Sequence, residues 1–322
     1  MAKNKPESNT PQEKNMPEKR FSWQFPIVKL RYWWFALSLL IIIPGILSLV
    51  LHGLNLGIDF TGGSTFDLAF NKKVGQAEIS STLDAIGLTG SRVQIYENGT
   101  KAIIRTKDLD VGERDKLIQT LEQKIGTIDR QSIKEDKVGP AIGKELTEMA
   151  IYALLIAFAG MVIYLTIRFE FLYGISAIIA ILHDVLVTLG IFSIFRWEID
   201  SSFVAAILTV VGYSINDTVV IFDRIRENQE KLRRGDSYEE MVEKSVWQTM
   251  ARSINTVLTV LITLFAIFLL GGSSTKVFAL AMLIGVFSGA YSSVFNASQI
   301  LVELKNWQER LLKRVKLGSS RA

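Results

Sequence analysis

The sequence predicts an α-helical membrane protein: six transmembrane helices and a small α+β, ferredoxin-like (βαββαβ) domain on the extracytoplasmic side. Three observations predict it. Apolar runs of about 20 residues, the length a helix needs to cross hydrocarbon, recur near 33–52, 148–167, 172–195, 202–222, 254–271 and 277–301. Between the first two runs lies a long stretch of ordinary globular composition and mixed charge. Lys and Arg gather at the two ends and in the 223–252 segment, while the short loops of opposite parity carry only Arg196 and Lys276.

Residues 1–28 are expected to form a disordered cytoplasmic tail, because Pro, Asn, Glu, Lys and Gln dominate it and leave little to bury. The first span, 29–52, follows the basic flank Lys29 and Arg31. It lacks a small-x-small cleavage site before His52 and so reads as a signal anchor. Pro44-Gly45 predicts a kink within it. The basic flanks place both termini in the cytoplasm, which puts residues 53–147 outside. The net charge of +4 follows from this topology and gives no reason to expect nucleic acid as a partner.

Within 53–147 the pattern reads as a strand at 64–70, a helix at 75–86, strands at 92–97 and 101–106, a helix at 111–125 and a strand near 129–137. Asn98-Gly99 predicts a type I′ hairpin. In this order both helices cover one sheet face and leave the other open, either to bind an extended chain or to pack on a partner domain. The bundle then occupies 148–303. Its 223–252 segment is cytoplasmic, with an amphipathic helix at 237–250 opened by a Ser237-x-x-Glu240 capping box and expected to lie along the interface. A basic cytoplasmic tail, 304–322, ends the chain.

Four groups of residues stand out. GIDFTGGS at 57–64 places Gly57, Asp59, Phe60, Thr61, Gly62 and Gly63 where the chain leaves the first span. Its glycines fit a tight turn, and no strand–GxxxxGK[ST]–helix context makes it a phosphate loop. Asp217 sits about 8 Å inside the cytoplasmic end of the fourth span, too deep for its short side chain to snorkel. Arg252, opening the fifth span on the same side, is expected to reach it. The carboxylate then either forms a structural ion pair or takes up and releases a proton as Arg252 moves. Tyr213 shares its helix face; Asn216 points elsewhere, as packing glue or as support for a relay.

His183 and Asp184 form a second charged spot near the midplane of the third span. Asp184 is expected to face the bundle interior, with His183 helping from the flank. Ala281, Gly285, Gly289 and Ser293 repeat every four residues along the sixth span, a strip for close helix contact facing either the bundle core or a partner helix. No cysteine is present, and His52 and His183 are the only histidines. Metal, ATPase and protease chemistry therefore have no support.

GIDFTGG, LHDVLVTLGIF at 182–192, GYSINDTVVIFDRIREN at 212–228, RRG at 233–235, QT followed by ARSINT at 248–256, and GG at 271–272 occur in the order found in one family. From about residue 25 to 305 the chain resembles the SecF family of the SecD–SecF part of the bacterial Sec translocase, related to the proton-driven RND transporters. The resemblance implies a non-enzymatic export motor in the inner membrane, working beside SecD and the SecYEG channel, with YajC as a further candidate partner and unfolded preprotein as cargo. It implies no cofactor; protons are the coupling ion. Half of an RND-type small-molecule exporter and a passive scaffold of the translocase are the alternatives.

Overall fold

The computed structural model describes residues 25–233 and 235–319. Helix α1 (Arg31–His52) is the first of six helices, among the described residues, long and apolar enough to cross a membrane. Its approach is not loose. Ile27 and Val28 are buried, and their backbone N–H groups donate to the Glu243 carboxylate at 2.9 and 2.7 Å. An ionised acceptor that satisfies two amides ahead of the helix holds this segment down, which shortens the expected 1–28 tail. Residues 1–24 lie outside the described residues.

After α1 come β1 (Asn55–Leu56), the single turn α2 (Ile58–Thr61), β2 (Gly63–Ala69), α3 (Gln76–Ala85), β3 (Arg92–Tyr96), β4 (Lys101–Thr106), α4 (Val111–Lys124) and β5 (Lys134–Val138). From β2 onward the order is the expected βαββαβ, in an antiparallel sheet ordered β3-β4-β2-β5. Alternation along the strands turns Phe66, Leu68, Val93 and Ile104 toward Ile79, Leu83, Leu117 and Leu121 of the two helices. A capping box fixes the start of α4: Glu113 N donates to Asp110 at 2.7 Å, and Asp110 N to the Glu113 carboxylate at 3.2 Å.

The β3–β4 hairpin differs from a two-residue type I′ turn. Asn98 and Gly99 have the expected positive φ, 56° and 93°, but Glu97 is at 46° and pairing closes only at Tyr96–Lys101. Gly99 and Thr100 carbonyls accept from Val74 and Phe70 N–H, both at 2.8 Å, so docking onto the β2–α3 connection opens the loop to four residues. The last strand starts at Lys134 rather than near 129; Ile128 makes only an isolated bridge to Phe70.

Four long helices and a broken one complete the bundle. They are α5 (Pro140–Arg168), α6 (Phe171–Ile194), α7 (Ser201–Gln229), α8 (Tyr238–Leu270), and α9 (Ser273–Ser292) joined to α10 (Ser298–Ser319) by a π-helical turn, Ser293–Ala297. Strand β6 (Glu198–Ile199), between α6 and α7, pairs in parallel with β1.

The expected interfacial helix at 237–250 is instead the first part of α8, continuous with the fifth span. Its apolar stripe, Met241, Val242, Val246 and Met250, is buried in the bundle core, so its apolar face has protein to pack on and no need of the interface. Only half of the capping box forms: Glu240 N donates to Ser237 Oγ at 3.4 Å.

The sixth-span strip faces the bundle core. A Cβ at Gly285 would run into the Val210 methyls, and one at Gly289 would lie 3.1 Å from Ser214 Cβ, so the strip lets α9 close on α7. Gly45 does the same for α1, crossing Gly190 of α6.

Candidate functional site

Asp184 is fully buried where α6, α7 and α9 meet. Its Oδ1 accepts from Ser288 Oγ at 2.8 Å, and its Oδ2 from Ser214 and Ser292 Oγ at 2.6 and 2.7 Å. His183 Nδ1 lies 2.9 Å from Oδ1. With Asp184 ionised, that nitrogen carries the proton and donates, so the carboxylate is satisfied four times without Lys or Arg. Asp184 does face the interior and His183 does assist from the flank. The two neighbours diverge around the helix but bond each other.

The far side of the imidazole opens a second polar chain. His183 Nε2 is 3.1 Å from Ser38 Oγ of α1, which accepts from Asn296 Nδ2 at 2.9 Å. Asn296 lies on the π-helical turn, which brings it and Ser293 into the bundle, as such insertions do at functional sites. Ser293 Oγ meets Thr218 Oγ1 at 2.8 Å and donates to Ser214 O at 3.4 Å. Hydroxyls thus line a seam from His183 to the residue after Asp217.

Asp217 is also buried, 9% exposed, yet its partner is not Arg252. Ser253 Oγ donates to Asp217 Oδ1 at 2.6 Å. Consecutive residues on α8 diverge by about 100°, and Ser253 is the one aimed at α7. Arg252 lies on the exposed side of α8, within electrostatic reach of Asp217 but outside an ion pair. Asp217 Oδ2 and the Tyr213 hydroxyl, one helical turn apart, are both buried without a hydrogen-bond partner among the described residues. Asn216 is exposed, on the outward side of α7. Beyond Asp217, Asp223 pairs with Arg168 at 2.9 Å and Arg226 at 3.1 Å, tying the end of α5 to α7.

The glycine segment builds the joint between domain and bundle. Gly62 and Gly63 adopt φ of 71° and 131°. A Cβ on Gly62 would lie 2.9 Å from Pro140 Cα, and one on Gly63 would strike the Thr106 carbonyl. Asp59 Oδ2 accepts from Ser201 N at 2.8 Å and from the Ser201 hydroxyl, at the N-terminus of α7. Gly57 N donates to Ile199 O at 2.8 Å. Beside it Arg105, on the sheet face away from the domain helices, pairs with Glu198. Burial pushes the Glu198 carboxyl above the ordinary range, against the pull of Arg105. That sheet face therefore looks onto the bundle, with a cleft of about 380 Å³ between Asp67, Tyr96 and Lys134 and the Gly271–Gly272 turn.

The family described as protein export membrane protein SecD/SecF, C-terminal, matches residues 117–307, and the SecD/SecF GG motif matches residues 47–74. A protein translocase subunit SecF from Thermobaculum terrenum is 44% identical, over 87% of this chain and 94% of its own. The chain belongs to the SecF family.

A second SecF, from Alicyclobacillus acidocaldarius, is 40% identical over 93% of this chain and 98% of its own. Among solved structures, SecDF from Thermus thermophilus, called a translocon-associated membrane protein, superposes with a TM-score of 0.79 at 34% identity. The match covers 88% of this chain but only 39% of that SecDF chain. As a SecF-family member the chain is a multi-pass membrane protein of protein transport. The C-terminal match spans Asp184, Asp217 and Arg252, and the motif match spans Gly57–Gly63. Neither Ser38, Ser253, Ser288 nor Asn296 was predicted from the sequence. The available signal was small polar residues at helical spacing, Ser288 and Ser292 above all, which also reads as packing.

Proposed function

We propose that this chain is the proton-driven SecF half of a SecD–SecF unit, which uses the proton motive force to help draw preproteins through SecYEG on the extracytoplasmic side. One observation carries the reading: Asp217, buried among membrane-spanning helices, has no Lys or Arg partner among the described residues and leaves one carboxylate oxygen unbonded. A lone charge in hydrocarbon costs about 2.5–3.5 kcal/mol, so such a group is kept for what its ionisation does. Tyr213 is placed to order water beside Oδ2, and the Asp184–His183 network is the inner stop of the same route. The coupling ion is the proton, and no cofactor is needed.

The outward face of α7 and α8 supports a SecD partner. Thr209, Gly212 and Asn216 of α7 and Arg252, Asn255 and Thr259 of α8 are exposed within membrane-spanning helices. Polar groups at that depth favour protein over lipid, so this is the face we assign to SecD. The strand order β3-β4-β2-β5 supports the ferredoxin-like description of the external domain. The start of α1, the α7–α8 turn and α10 share one end, held by Arg31 on Glu239 at 3.2 Å and on Glu303 at 2.5 Å. With its excess of Lys and Arg this end is cytoplasmic in the bacterial inner membrane, and the domain is outside.

The test uses membranes containing the full complex. Asp217→Asn abolishes both proton uptake during translocation and the proton-gradient-dependent part of export. Undiminished export and uptake in that variant would leave only a scaffold. Loss of resistance to small toxic compounds with normal secretion would favour an exporter.

A further inference from the structure

The external domain joins the bundle in three places, and only one of them is non-covalent. It runs into α5 with Gly139 alone between β5 and the helix, and it leaves α1 through Gly53 and Leu54. To α7 and to β6, the strand leading into it, it is attached by contacts: Asp59 on Ser201 of α7, and on β6 Gly57 on Ile199, β1 along the strand, and Arg105 on Glu198. Arg92 of β3 adds a bond to Asn55 of β1. Asp59 thereby holds the first turn of α7, and the other contacts hold β6, the strand that leads into it.

Slack is absent on both sides of this attachment. Gly62 and Gly63 are wedged against Pro140 and Thr106, and Gly143 of α5 would place a Cβ 2.9 Å from Gly62 N. On the other side, α7 runs unbroken from Ser201 past Asp217, about 24 Å at 1.5 Å per residue. A tilt of the sheet is then a tilt of α7. It changes how Asp217 meets Ser253 of α8 and how Ser214 meets Asp184.

We propose that the Gly57–Gly63 segment and the Arg105–Glu198 pair form a rigid joint that makes α7 move with the external domain, with Asp59 and Glu198 as its positioning residues. This rests on the reading of Asp217 as the proton group. Neither residue touches the moving proton; both act through the helix they hold. Losing the joint leaves the proton route intact and disconnects it from the domain.

The chain has no cysteine, so Lys116→Cys and Glu230→Cys place its two spin labels on α4 and at the C-cap of α7, away from the face assigned to SecD. In the assembled complex, the distance distribution between them broadens in Asp59→Ala and Arg105→Glu. It narrows again in the charge swap Arg105→Glu with Glu198→Arg. In the same membranes the amount exported per proton taken up falls by about tenfold in the two single variants and recovers in the swap. Arg105→Gln, of similar length and neutral, is the milder variant if Arg105→Glu fails to assemble. Unchanged label distances, or export and proton uptake falling in proportion, would overturn the joint. Asp217→Asn run alongside separates the two ideas: if it leaves both activities intact, the proton reading fails, while the label distances still decide the joint.

Discussion

Replacing Asp184 separates a packing hub from a passive buried carboxylate. Four donors converge on it, three serine hydroxyls from α7 and α9 and the imidazole of His183. Asp184→Asn keeps one acceptor oxygen for Ser288 and His183 and turns an amide toward Ser214 and Ser292. Ser292 already has Gly289 O at 3.2 Å, so one donor is displaced, at about 1–3 kcal/mol. Asp184→Leu removes every acceptor. Ser214 and Ser288 can turn to carbonyls one helical turn back, but the imidazole N–H has no substitute. Its loss leaves a buried donor without an acceptor, at about 1–3 kcal/mol beyond the cost of the asparagine variant. Denaturant unfolding of the detergent-solubilised protein, followed by far-ultraviolet circular dichroism, reads both. If the leucine variant is as stable as the asparagine variant, or either matches the parent, the network does not hold the three helices together.

Ser253→Ala takes the only side-chain hydrogen bond Asp217 makes among the described residues and costs about 1–3 kcal/mol in the same assay, whereas Ser253→Thr, which keeps the hydroxyl, costs less. Gly285→Ala drives a Cβ into Val210 and loses about 1–3 kcal/mol, more than its gain in helix propensity; Val210→Ala in the same chain recovers part of it, and Gly174→Ala, with open space around it, is neutral or better. Glu243→Ala releases the Ile27 and Val28 amides; at about 1.5–3 kcal/mol for bonds to a charged acceptor, tryptic cleavage at Lys29 rises by about tenfold or more. Glu198 has its carboxyl raised by burial in the docked domain, so the docked state binds the proton more tightly than an undocked, solvated one. The proton-linked part of its contribution to docking is full below the ordinary glutamate value of about 4.3 and is lost as pH rises through the raised one, leaving the pair with Arg105. Protection against hydrogen exchange at residues 92–106, taken relative to the intrinsic base-catalysed rate, therefore falls over that window, and Glu198→Gln flattens the dependence.

The sequence by itself determined whatever depends on local composition. Six runs of the right length had to be helices because hydrocarbon leaves backbone groups no other partner, and period-two alternation at Phe66 and Leu68 fixed the core face of β2. Asp217 and Asp184 were legible as special because a carboxylate in an apolar run costs too much to be accidental. Partners were not legible, since they are set by which helices touch. Arg252 was the obvious counter-charge to Asp217 by depth, but the rotation of α8 presents Ser253 instead and leaves Arg252 outside. The serines around Asp184 look like packing residues until α9 closes on α7. The 237–250 stripe looked interfacial until the core beneath it was known. Glu243 and Ile27, 216 residues apart, carry no local sign of each other. Periodicity and hydropathy are properties of one segment and survive in the sequence; helix rotation, register and the pairing of lone polar groups are properties of two or more, and only packing decides them.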